Sequence, residues 1–236
     1  MPLAVRPSIE KCQECEYRSL RMFCNLDAPA LQDFDAIGMH ISFPSRAIVF
    51  EEGQRSNGIF IVCSGQLKLT TTSREGRMMI LRLAGPGDVL GLSAALSTLP
   101  HEVTAETIEP TRLKSVRRVE FLEFLDSHAD VGRKAAQALA KEYREVFLDA
   151  RRLALSGSAA GRLAQLLLEW AGTAACGKSE LRFTMALTHE ELANMAGTSR
   201  ETVSRLLGQF ERDGLITRHG ASLTIVEPSR LGLLAQ

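Results

Sequence analysis

Apolar residues change their spacing twice along this chain, and each change predicts a different kind of element. From about residue 40 to 118 they come in short runs: "AIVF" (47–50), "IFIVCSGQLKLTTT" (59–72), "MMILRLA" (78–84) and "TRLKSVRR" (111–118). Through Gln66-Leu67-Lys68-Leu69-Thr70 polar and apolar positions alternate, the two-residue period of a half-buried strand. Glycines punctuate the runs at Gly53, Gly58, Gly65, Gly76, Gly85 and Gly87. Many short strands with glycine turns predict a sandwich or barrel. From 128 to 155 the glycines almost vanish and the period lengthens. Ala135, Leu139, Tyr143, Val146, Ala150 and Leu153 recur at spacings of three and four, a narrow stripe of coiled-coil type. With charged residues between its members, the stripe suits a helix pairing with its copy in a dimer better than one packed on its own domain.

Beyond a small-residue break, "SGSAAG" (156–161), helical spacing resumes in "RLAQLLLEWAG" (162–172). Two helix starts then follow ten residues apart. "THEE" (188–191) and "TSRE" (198–201) both carry the capping-box pattern, with Thr188 and Thr198 as caps and Glu191 and Glu201 three residues on. Gly197 lies between them, where a left-handed residue closes a helix. Helix, glycine turn, helix is the motif that lays its second helix in the DNA major groove. In that second helix Val203, Leu206, Leu207 and Phe210 fall on one apolar face; Arg200, Glu201, Ser204, Arg205 and Arg212 fall on the other. An arginine fork matches guanine O6 and N7, a carboxylate accepts from cytosine N4, and serine is a short, tolerant partner. A merely solvated face is the plain alternative, with Glu201 serving only as a cap. The sequel "RDGLITRHGASLTIVEP" reads as strand, His219-Gly220 turn and strand, a wing that is expected to touch phosphates through Arg218.

Charge and composition change this picture little. The 236 residues carry 28 basic and 28 acidic side chains and are 45% hydrophobic, ordinary for a globular chain of one or two domains. A net charge of zero argues against sequence-blind binding to polyanions but allows a locally basic reading face. No apolar run reaches bilayer-spanning length and the N-terminus lacks a signal-peptide core, so a cytoplasmic protein is expected. The five cysteines are odd in number, which does not suit a disulfide framework. No nucleophile motif, phosphate loop or paired catalytic carboxylates appear, so no enzyme is expected.

The motifs "SGQLKL" (64–69), "GPGDVLGL" (85–92), "GRLAQLLLEW" (161–170) and "LANMAGTSRETVSRLLGQFERDGLI" (192–216) resemble the CRP/FNR family of bacterial transcription regulators. The resemblance covers about residues 30–236. It implies an α+β chain: a cysteine-bearing segment (1–29), a β-roll of the jelly-roll, cyclic-nucleotide-binding type (30–127), a dimerisation helix (128–155) and a winged helix–turn–helix (156–236). It further implies a homodimer on a two-fold symmetric double-stranded DNA site, in contact with RNA polymerase. Arg200, Glu201 and Arg205 match the reading positions of the cyclic-AMP branch; Glu201, Ser204 and Arg205 match those of the FNR branch. Ser204 favours a TTGA-type half-site over TGTGA, with Thr198 and Ser199 alongside the reading residues.

For the signal, the resemblance points to two places. In cyclic-nucleotide rolls a glutamate holds the ribose and an arginine–serine pair the phosphate. Here those positions hold Leu92, His101 and Glu102, and a carboxylate repels a phosphate, so cyclic AMP is not expected. The other place is "KCQECEYRSLRMFCNLD", with Cys12, Cys15 and Cys24. Three cysteines there resemble the oxygen-sensing FNR branch, whose [4Fe–4S] cluster takes four. The fourth family position holds about Lys114. Cys63 is a weak substitute, because Ile61 and Val62 beside it suggest a plain buried cysteine; Cys176 lies beyond the break. Thiolates suit iron–sulfur clusters and zinc alike, so a cluster, a zinc or thiol–disulfide switch, and metal-free thiols with no cofactor all stay open. His40, His101, His128, His189 and His219 show no metal-ligand spacing and are expected in surface or packing roles.

Overall fold

The computed structural model describes residues 12, 15, 18, 24–73, 76, 78–155, 158–175, 181–185, 187–220 and 222–235. Cys176 and the break residues 156–157 lie outside them, as does most of the amino-terminal segment. The chain divides into two compact units, Met1–Glu145 and Val146–Gln236.

The first unit opens with α1 (Ala28–Ala36), capped by the Asp27 carboxylate on the Ala30 N–H and started by Pro29. Eight strands follow: β1 (Met39–Phe43), β2 (Ile48–Phe50), β3 (Gly58–Ser64), β4 (Leu67–Thr72), β5 (Met78–Ala84), β6 (Val89–Leu90), β7 (Thr104–Thr107) and β8 (Thr111–Arg117). The short helix α2 (Leu92–Ser97) sits between β6 and β7, and α3 (Arg118–Ser127) follows β8. The strands make two antiparallel four-stranded sheets, ordered β1-β8-β3-β6 and β2-β7-β4-β5. This is the expected roll. The run 59–72 holds two strands, divided at Gly65 (φ 84°), one of the expected glycine turns.

Strand alternation sends side chains to two separate cores. Phe50, Val62, Leu67, Leu69, Ala84, Leu90, Ala105 and Leu113 pack together from strands of both sheets. Ile59, Ile61 and Val116, on the opposite face of the first sheet, pack against Leu31 and Phe34 of α1, Phe121 and Phe124 of α3, and Val131 and Ala135 of the next helix.

That helix is α4 (Ala129–Leu155). Its apolar stripe is divided, which corrects the sequence expectation. Ala135 is 3% exposed and Leu139 is half-buried, both against the chain's own core. Tyr143 is 74% exposed, Val146 52% and Phe147 59%. The side chains of Ala150 and Leu153 lie outside the described residues.

The second unit contains α5 (Ala159–Ala175), β9 (Arg182–Thr184), α6 (His189–Ala196), α7 (Arg200–Arg212), β10 (Ile216–His219), β11 (Ser222–Ile225) and α8 (Pro228–Leu234). The three strands form an antiparallel sheet ordered β10-β11-β9. Leu163, Leu167, Leu192, Val203, Leu207, Phe210, Ile216 and Leu223 are at most 1% exposed. Each such side chain contributes roughly 1.5–3 kcal/mol of burial. Among the described residues, no helix is long and apolar enough to cross a membrane.

Candidate nucleic-acid interface and sensory site

The turn between α6 and α7 is fixed from both sides. Thr188 accepts from the Glu191 N–H at 3.2 Å, and the Glu191 carboxylate takes the Thr188 N–H at 2.9 Å, completing the expected capping box. At the other end Gly197 is left-handed (φ 57°, ψ 46°). Its N–H and that of Thr198 both return to Ala193 O, closing the helix. Arg162 of α5 adds its guanidinium, donating to Ala196 O at 2.6 Å and Gly197 O at 3.2 Å. A cation on the last carbonyls stabilises a helix end.

Thr198 is spent on this closure, so the second cap falls one residue later than the sequence pattern suggests. Ser199 is the N-cap of α7 and accepts from the Thr202 N–H at 3.2 Å. Glu201 bonds its own backbone N–H first and then the Ser199 hydroxyl, which together hold its carboxyl below the usual carboxylate range.

Helix α7 then sorts its residues as expected. Val203, Leu206, Leu207 and Phe210 are buried, while Ser199, Arg200, Glu201, Ser204, Arg205 and Arg212 are exposed and Thr198 is half-exposed. Ser204 is more engaged than its exposure suggests. Its hydroxyl donates to Arg200 O at 3.0 Å and lies 2.8 Å from His189 Nδ1. Because the hydroxyl proton is used, His189 Nδ1 is the donor in that contact. Sequence reasoning gave His189 only a generic role, since the contact spans fifteen residues and the glycine turn. Burial, then Arg218 and Arg200, push the His189 imidazole below the ordinary histidine value.

Arg218 has a partner that the spacing did not announce. Its guanidinium grips Glu211 at 2.8 and 3.3 Å, tying the wing to the end of α7.

In the roll, the nucleotide region is filled from within. His101 is 5% exposed and stacks on Phe50 with centroids 3.9 Å apart. Its Cε1 lies 2.9 Å from where a Cβ on Gly91 would stand, so only glycine, at φ 75°, fits there. Leu92 is buried, and Glu102 accepts from the Ser93 hydroxyl at 3.1 Å. The cavity lined by Phe50, Leu90, Leu92, His101 and Glu102 holds about 20 Å³, about the room that one water needs.

The amino-terminal thiols meet unforeseen partners. The Cys12 N–H donates to Asp35 Oδ1 at 2.8 Å, and Cys12 Sγ lies 4.0 Å from His40 Nε2. Donor atoms of Cys12, Asp35 and His40 all lie within 4.8 Å of one another. Cys63 Sγ approaches the other nitrogen of the same ring, Nδ1, at 3.8 Å. Cys63 is thus half-buried beside His40, not simply buried in the core. Cys24 packs against the apolar cluster, and the Cys15 N–H donates to Cys12 O at 3.3 Å. Burial pushes the Cys12 thiol up to about 12, against the opposing pull of Lys114. Lys114 is 2% exposed, donates to Asp35 O at 3.4 Å and stands 5.1 Å over the Phe34 ring.

Cys12, Asp35 and His40 make a mixed donor set, one thiol with a carboxylate and an imidazole, unlike the cysteine thiolates that an iron–sulfur cluster takes. The Lys114 ammonium lies against Asp35 O, and the His40 ring contacts Cys12 and Cys63 through different nitrogens. Sequence spacing gave no warning, because the contacts to Cys12 bridge 23 and 28 positions.

A Crp-like helix-turn-helix domain matches residues 161–234, and a cyclic nucleotide-binding domain matches residues 40–128. The chain is 31% identical over 199 residues to the CRP-like cAMP-activated global transcriptional regulator of Mycobacterium tuberculosis, covering 83% of this chain and 88% of that protein. It is 26% identical over 233 residues to the nitrogen fixation regulation protein FixK of Bradyrhizobium diazoefficiens, covering 98% and 96%. The structure of FixK2 from Bradyrhizobium japonicum shares the fold, with a TM-score of 0.76, 24% identity and coverage of 85% and 98%. A CRP/FNR regulator from Thermus thermophilus, TTHA1359, is 27% identical with a TM-score of 0.61, covering 83% and 97%. The chain therefore belongs to the CRP/FNR family of DNA-binding transcription regulators.

Proposed function

We propose that the chain acts as a homodimer that reads a two-fold symmetric DNA site of the TTGA type. One observation carries this reading: Arg200, Glu201, Ser204 and Arg205 stand exposed at the amino-terminal end of α7, whose other face is buried. That end of a recognition helix enters the major groove. Arg205 is assigned to guanine O6 and N7 and Glu201 to the paired cytosine N4. Thr198, Ser199 and Arg200 sit where backbone N–H groups and side chains meet phosphate. Two copies place two reading helices on half-sites about one helical turn apart. The exposed Tyr143, Val146 and Phe147 of α4 supply the apolar material for pairing. RNA polymerase is the further partner that the family resemblance implies.

For the signal, the filled pocket around His101 favours a regulator that does not take a cyclic nucleotide. The amino-terminal segment carrying Cys12, Cys15 and Cys24 is assigned the sensory role, responding to redox state or oxygen. A cofactor-independent regulator is the alternative, distinguished by metal content. A change in the roll reaches α4 through Asp88, which Arg82 holds at 3.3 Å and Lys141 of α4 at 3.5 Å. Shifting the long helices resets the spacing of the reading helices.

The test is fluorescence anisotropy with duplexes bearing TTGA or TGTGA half-sites, against scrambled DNA over a salt series. Preference for the TTGA duplex and a steep loss of affinity with salt are expected. Equal binding to all duplexes, or binding insensitive to salt, overturns the reading.

A further inference from the structure

The group around His40 brings together side chains from four separate parts of the chain. Asp35 lies in the last turn of α1, His40 on β1 and Cys63 on β3, with Cys12 arriving from the amino-terminal segment. Sheet register explains the convergence. His40 pairs with Lys114 of β8, and Lys114 pairs with Ile61 of β3. Paired residues share a face; Cys63 stands at the register shift between Val62 and Ser64, and its Sγ reaches the His40 ring at 3.8 Å. The shared face packs under α1, where Asp35 ends the helix.

We propose that Cys12 Sγ, the Asp35 carboxylate and His40 Nε2 bind one divalent transition ion of the zinc class, with Cys63 orienting the His40 ring. The donor chemistry selects this class. One thiolate, one imidazole and one carboxylate form a mixed borderline set, which suits zinc or iron(II). An iron–sulfur cube takes cysteine thiolates instead. Three protein donors leave a fourth position for water, as in open zinc sites.

The distances are close to what an ion requires. In a tetrahedral site a thiolate sulfur and an imidazole nitrogen stand roughly 3.5 Å apart. Cys12 Sγ and His40 Nε2 are at 4.0 Å, so closure by about half an ångström, a tenth of an α-helical turn, assembles the pair. When Nε2 ligates the ion, Nδ1 carries the proton and donates to Cys63 Sγ, already at 3.8 Å. Such outer partners fix the tautomer and ring orientation, and losing one costs about 10- to 100-fold in metal affinity. Lys114, bonded to the backbone carbonyl of Asp35, leaves the carboxylate oxygens to Cys12 and the ion.

The regulatory meaning of this site rests on the sensory reading of the amino-terminal segment; the binding itself does not. The test uses full-length protein, stripped of metal under anaerobic conditions and titrated with cobalt(II) alone. One cobalt per chain is expected, with thiolate-to-cobalt charge-transfer absorption in the near ultraviolet. Cys12→Ser abolishes that absorption. His40→Gln weakens cobalt binding at least about tenfold, while Cys63→Ser keeps the absorption and weakens binding by about tenfold or more. Thermal melting and DNA binding of the same samples report whether each variant is folded. Absorption unchanged in both Cys12→Ser and His40→Gln overturns the proposal. So does purified protein with four irons and four sulfides per chain, or folded wild-type chain that takes up no cobalt. Specific DNA binding by a chain that binds no cobalt sinks this site alone. Cobalt binding without specific DNA binding sinks the regulator reading alone.

Discussion

On the proposed reading, replacing Arg205 by alanine should remove one base-reading fork from each half-site while leaving the fold alone. Arg205 is exposed on α7, and the buried contacts of that helix belong to Val203, Leu206, Leu207 and Phe210. Surface substitutions of this kind change stability by about 0.5 kcal/mol or less. A bidentate arginine–guanine contact discriminates by about 1–3 kcal/mol. A dimer makes it twice, so the loss is about 2–6 kcal/mol, or roughly 30-fold to 10⁴-fold in affinity. The assay is a cycle of four titrations: wild type and Arg205→Ala, each on a TTGA duplex and on one with the G·C pairs replaced. Wild type should discriminate strongly and the variant hardly at all. If Arg205→Ala keeps the wild-type preference, Arg205 does not read the base and the assignment of α7 fails.

The other predictions concern pairing, protonation and the hidden face of the same helix. Tyr143→Glu combined with Phe147→Glu puts charge on the exposed part of the α4 stripe and should shift sedimentation equilibrium from dimer to monomer; an unchanged dimer would move the interface elsewhere. Leu207→Ala, at 0% exposure, should cost about 2–5 kcal/mol, read as a lower urea midpoint in the winged domain; a midpoint within error of wild type would contradict the packing described. His189 is held below its ordinary value in the free protein, and a nearby phosphate favours its charged form. The complex then binds more protons than the free chain, so affinity should rise as pH falls below about 6.5. His189→Gln should flatten that dependence, and a wild-type profile that falls with falling pH would refute the sign.

What the sequence disclosed was local. The capping box at Thr188, the glycine at 197 and the alternating faces of α7 each depend on neighbours within a turn or two, and each stands where the spacing put it. The cap of α7 slipped from Thr198 to Ser199 because one residue more was needed to close α6, a demand set by hydrogen-bond geometry that a pattern of letters does not contain. Strands β1, β6, β7 and β9 were missed; they are five, two, four and three residues long, and they lack the apolar run or the glycine turn that disclosed the equally short β2, β10 and β11. The stripe on α4 announced an apolar face without saying what covers it. Ala135 and Leu139 turn out to serve the roll itself. The pairing of Arg218 with Glu211 was not legible, since the turn from α7 into β10 brings the two together. The Cys12, Asp35 and His40 group was the least legible, since sheet register and α1 bring it together.

The most direct measurement is selection of bound duplexes from a randomised DNA pool by the purified full-length chain. Enrichment of two inverted TTGA half-sites, centred about one helical turn apart, with the G·C pair of each as its least variable position, is the predicted result. A pool that stays random, or that converges on a single half-site without its inverted copy, contradicts the account.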